Sequence, residues 1–278
     1  MPKIVKNFIS IFLSLTALSA IVLRVVQLIK YTDVETGHIL QSAKTTMLYF
    51  YLTCVIMILL SVLIAYKSKN CNNPFENKKN KTLSLFSLFA GVSLFYDFVH
   101  QALNCYEYIA KTSQIQMNYI IPLALVGISA LASSFYFFLI SSYFISNKYD
   151  FRQLKYFHLM PTMWMLFKLL ICIVTYVDER YAEEAFFEYA VLIFGILFFI
   201  FVIKCMDNKE FNINHVVFTG LSYGLCSLII SVPRIFADFT KIETSEVSFS
   251  SITYLFTGIF ALIFSVNALE SKIQIKDK

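Results

Sequence analysis

Long apolar runs alternate with short polar breaks along the whole chain. A bilayer's hydrocarbon core needs about 20 apolar residues per helical crossing. On that measure the pattern predicts eight spans, at 8–30, 46–66, 83–109, 118–145, 157–177, 187–206, 215–237 and 249–270. The longest polar break is KSKNCNNPFENKKNK, 67–81. No break is long enough for a soluble catalytic or nucleotide-binding domain. The pattern therefore predicts an all-α, polytopic integral membrane protein, one transmembrane domain over 1–278. The first run follows Lys3 and Lys6 but is too long for a signal peptide and lacks a small-x-small cleavage site, so it reads as a retained first helix.

Composition agrees: 58% of the 278 residues are hydrophobic and only 15% are charged. The net charge of +5 is a matter of loop placement and does not point to nucleic acid. With the N-terminus inside, fifteen Lys and Arg fall in cytoplasmic segments and five in external ones. That bias predicts that both termini are cytoplasmic; a seven-span chain would break the alternation. The bias toward Lys, Asn, Ile and Phe, with few Gly, suggests an AT-rich genome and a bacterial cytoplasmic membrane.

The apolar runs carry a few charges. Arg24, Asp97 with His100, Lys168 and Arg234 fall in spans 1, 3, 5 and 7, and the interiors of the even spans are read as free of ionisable residues. A charge at the bilayer centre costs roughly 2.5–3.5 kcal/mol on insertion scales, so such groups usually face the bundle interior. The expectation is that odd helices line the centre and even helices face lipid. Helical rise places Asp97 and Lys168 near mid-membrane, with Arg24 and Arg234 about two turns from the outer boundary.

Polar stripes reinforce this. Asp97, His100, Gln101, Asn104 and Tyr108 share one helical face, as do Arg24, Gln27 and Tyr31. A third face holds Gly220, Gly224, Ser227, Ser231, Arg234 and Asp238, beginning in a G-x-x-x-G that suits close helix packing. The three are expected to converge on one polar cavity in the outer half. Arg24, Lys168 and Arg234 against Asp97 leave two excess positive charges, which favours a carboxylate or phosphate. Plainer readings stand beside this one. Arg24 and Arg234 could snorkel to the interface, with Asp33 and Asp238 as counter-ions, and Asp97–Lys168 could be a structural ion pair.

Other chemistry is not indicated. Six scattered cysteines make no C-x-x-C, and the histidines form no cluster at metal-ligand spacing, so no metal or cofactor is expected. There is no phosphate-binding glycine loop, H-E-x-x-H or G-x-S-x-G. The acidic DERYAEEAFFE, 178–188, reads as a solvated external charge run. The leading expectation is binding or transport of a small anionic or amphipathic molecule by Arg24, Gln27, Asp97, His100, Gln101, Asn104, Lys168, Ser227, Ser231 and Arg234. Two alternatives remain. One is a sensor or accessory subunit that docks a cytoplasmic protein through the 67–81 loop; the other is an intramembrane enzyme using Asp97 and His100 on a lipid-linked substrate.

Overall fold

The computed structural model describes residues 3–31, 41–67, 79–111, 117–146, 157–174, 182–207, 212–239 and 248–270. They form eight α-helices: α1 Lys3–Lys30, α2 Lys44–Lys67, α3 Lys81–Lys111, α4 Met117–Ser146, α5 Leu159–Val174, α6 Ala182–Asp207, α7 Asn214–Phe239 and α8 Ser248–Glu270. A short 3-10 turn, Gln41–Ala43, leads into α2. No strand occurs among the described residues.

Among the described residues, seven helices are long and apolar enough to cross a membrane. The exception is α5, whose 16 residues span about 24 Å. Helix starts follow local chemistry. The Asn80 side chain accepts from the Leu83 N–H at 3.0 Å, capping the first turn of α3. Its own N–H donates to the Phe144 carbonyl at 3.2 Å, tying the start of α3 to the end of α4. Likewise Tyr66, at the end of α2, meets His215, at the start of α7, with Oη and Nδ1 3.0 Å apart. The helices therefore run alternately up and down.

Six helices close into a ring. From α3 to α8 each packs on the next, and α8 returns to α3. The α1–α2 pair stands outside the ring and packs on α7. This corrects the expectation that odd helices line the centre and even ones face lipid. The most apolar stretch of α7 is 78% buried, but those of α4 at 56% and α8 at 50% exceed those of α1 and α3. The reason is small-residue packing. In α4, Ser133 and Ser134 are buried, and the Ser134 hydroxyl donates to the Gly91 carbonyl of α3 at 2.8 Å. Gly258 in α8 has no room for a Cβ, because Ser227 of α7 fills that space. The most exposed member is α2, at 22% buried. Leu48, Leu52, Val55, Leu59 and Leu63 cover its outer face, which suits lipid.

Candidate functional site

Counting back from the helix ends predicts a layer. Arg24 lies six residues before Lys30, Lys168 six before Val174, and Arg234 five before Phe239. Phe50, Glu188 and Tyr254 each lie six residues after the first residue of α2, α6 and α8. With alternating helix direction, all six side chains sit about 9 Å inside the same end of the bundle. Asp97, in the middle of the longer α3, joins them through its contacts.

The ion pair is at the α3–α5 side of the layer. Asp97 is 1% exposed. Its Oδ2 accepts from the Trp164 indole N–H at 2.9 Å. The Lys168 ammonium donates to Oδ1 at 3.3 Å and lies 3.2 Å from Oδ2. The same ammonium stands 4.9 Å from the centre of the Trp164 ring and 5.0 Å from that of Tyr254. A carboxylate and two π-faces thus replace the hydration that Lys168 loses on burial.

The second pair follows through Tyr254. Its hydroxyl donates to Glu188 Oε1 at 2.8 Å. Glu188 Oε2 in turn lies 3.5 Å from Arg234 Nη1. Asp97, Lys168, Tyr254, Glu188 and Arg234 therefore form one chain of contacts across α3, α5, α8, α6 and α7.

Beyond Arg234 is a cavity of about 10 Å³, lined by Arg24, Leu28, Phe50, Phe187, Ile229, Ile230, Pro233 and Arg234. That is room for about one water molecule. Arg24 reaches it from α1, donating to Gln27 Oε1 at 3.2 Å. Its guanidinium lies 5.8 Å from the Phe50 ring centre and 5.7 Å from that of Phe187. Arg24 is 6% exposed and Arg234 also 6%. Both side chains are buried among protein groups rather than exposed on the outer face of the bundle.

The layer corrects three expectations. Glu188 is not part of a solvated run; it is the counter-ion of Arg234, and an even helix supplies it. The depth difference disappears too, since Lys168 and Arg234 are linked through Tyr254 and Glu188 in one layer. Among the described buried residues Glu188 joins Asp97 as a second carboxylate, so the expected tally of three bases against one acid does not hold.

The remaining residues divide. His100 and Asn104 touch each other, Nδ1 to Nδ2, at 3.3 Å. Gln101 faces Gly127 of α4, and its Oε1 has no hydrogen-bond partner among the described residues. This stripe belongs to α3, which packs on α4 and α8 rather than on the cavity helices, so the three stripes do not share one cavity. Ser227 donates to the Gly224 carbonyl at 2.8 Å and is used in packing α7 on α8. Ser231, one turn from Arg234, is fully buried, and its hydroxyl has no partner among the described residues. Asp33, the Asp238 side chain and most of the 67–81 loop lie outside the described residues. No group of three metal-ligating side chains occurs among the described residues.

No family model, curated protein or solved structure matches this chain.

Proposed function

We propose that this chain is a multi-pass membrane protein that binds a small anionic, amphipathic molecule between α1, α2, α6 and α7 and passes it across the bilayer. One observation carries the reading: two buried arginines from different helices line the same cavity. Guanidinium pairs suit carboxylates and phosphates, because their N–H forks match the oxygen geometry. The other walls, Leu28, Ile229, Ile230, Phe50 and Phe187, suit an apolar tail. At about 10 Å³ the cavity has room for roughly one water, so a larger ligand requires the helices to part. In the same reading α5 is an eighth crossing, both termini are cytoplasmic, and the membrane is a bacterial cytoplasmic membrane.

The test is thermal stabilisation of the detergent-purified chain by octanoate, benzoate, nitrate and inorganic phosphate, in parallel with Arg24→Gln and Arg234→Gln. A ligand at a hundred times its dissociation constant adds about 2.7 kcal/mol of stability. Stabilisation of the parent by octanoate or benzoate, lost in both variants, is the expected result. Equal stabilisation of all three proteins, or of none, refutes the site.

A further inference from the structure

Resting on that anion-binding reading, we propose that the ligand is a single-chain lipid acid, a long-chain carboxylate that enters sideways from the bilayer between α2 and α6. Its head passes Phe50 and Phe187 to reach the cavity of Arg24 and Arg234. Its tail stays outside, between the two helices and the lipid.

The wall at this place is made of rings rather than close-packed helices. α2 packs closely on α1 and α7, but among the described residues it does not pack along α6. Aromatic side chains close the gap. Phe187 of α6 meets Phe50 of α2 edge-on, with ring centres 5.1 Å apart, and stacks on Tyr51 at 5.9 Å. Exposure falls from the lipid inward. Phe186 is 62% exposed and Tyr51 37%, whereas Phe50 is 1% exposed and lines the cavity with Phe187. The Arg24 guanidinium lies within 5.8 Å of both inner ring centres. Turning a ring about its side-chain torsions breaks a few edge contacts, whereas parting close-packed helices breaks a whole interface. The α2–α6 seam is therefore the cheapest opening from the cavity to the membrane.

Size and polarity select the occupant. The cavity has room for about one water, so an entire amphiphile does not fit, and the smallest head needs the least opening. A carboxylate is smaller than any phosphate head, and its two oxygens match a guanidinium fork. The tail has a lane of its own. Two turns along α6 from Phe187, the half-buried Phe194 meets the half-buried Phe218 of α7 edge-on, with ring centres 6.1 Å apart. Beside them the outer face of α2 carries Leu52, Val55 and Leu59, all exposed. An acyl chain lying there buries apolar surface without entering the bundle.

The experiment is photolabelling of the full chain in phosphatidylcholine nanodiscs by palmitate that carries a diazirine midway along its chain, with the labelled residues mapped by mass spectrometry. Saturable labelling should concentrate at Tyr51, Phe186, Phe187 and Phe194, and unlabelled palmitate should displace it. Methyl palmitate, with the same chain and no charge, should not. Arg24→Gln should weaken the labelling about tenfold or more, the effect of losing one charge-assisted hydrogen bond. If that variant does not fold, the palmitate and methyl palmitate arms decide on the parent alone. Displacement by methyl palmitate as strong as by palmitate overturns recognition of the head. Displacement by phosphatidylglycerol at the same concentration as palmitate overturns the single-chain acid as occupant. Benzoate that stabilises the parent, with palmitate labelling no stronger at the seam than at Leu59, overturns the sideways route and leaves the anion site standing. No stabilisation by benzoate and no saturable labelling removes the anion site itself, and this proposal with it.

Discussion

Lys168→Met is the sharpest perturbation the layer offers. It removes the ammonium but keeps a flexible apolar stem of similar length. The Asp97 carboxylate, 1% exposed, is then left with the Trp164 N–H as its remaining contact from α5. Stranding one partner of a buried pair costs about 3–5 kcal/mol. At about 1.36 kcal/mol per decade, that is roughly two to nearly four decades in the ratio of folded to unfolded protein. Adding Asp97→Asn removes the stranded charge and keeps an oxygen for the indole N–H. The double variant should therefore recover most of the loss, because replacing both members of a buried pair is often close to neutral. The chain has a single tryptophan, Trp164, so the assay is built into the site. Denaturant titration in detergent, followed by Trp164 emission, reads stability and local environment together. A single variant as stable as the parent, with unshifted emission, would refute the buried pair. A double variant as unstable as the single one would show that lost packing, and not a stranded charge, dominates.

Two further predictions concern packing and topology. Gly224→Ala should lose about 1–3 kcal/mol of stability in detergent, because its new methyl meets the Gly258 carbonyl and Leu262. Gly127→Ala is the control: its closest contact is 3.5 Å, so the better helix former should be neutral or stabilising by up to about 1 kcal/mol. In a cysteine-free background, single cysteines in the 67–81 loop and the C-terminal tail should label from one side of the membrane. A cysteine at 178–181 should label from the other side, and labelling of all three from one side would break the eight-span reading.

The helices were legible because a bilayer imposes a length rule on apolar sequence, and seven of the eight meet it. Arg24, Asp97, Lys168 and Arg234 were legible for the same reason, as charges inside apolar runs. Glu188 was not. It ends an acidic stretch and opens an apolar one, so a linear reading assigns it to water. Its role depends on Arg234 and Tyr254, which are 46 and 66 residues away in the chain. The odd-even rule failed because it weighed charges and ignored serine and glycine. Buried Ser133, Ser134 and Gly258 help draw α4 and α8 into the ring without carrying any charge. The G-x-x-x-G of α7 told the opposite story correctly: Gly220 and Gly224 both pack tightly on α8.

The α1–α2 pair lies outside a ring that closes without it, and the cavity is on the boundary between them. Arg24, Leu28 and Phe50 belong to the outer pair; Phe187, Ile229, Ile230, Pro233 and Arg234 belong to the ring. The chamber is therefore a joint rather than a hole through either body, with a door carrying one arginine and a frame carrying the other. Swinging the door by a few ångströms would widen the chamber and separate the two guanidiniums. The Asp97–Lys168 and Glu188–Arg234 pairs are held wholly within the frame, so neither would have to break. Pro233 lines the same boundary, where its missing N–H already leaves the Ile229 carbonyl without its usual helical donor.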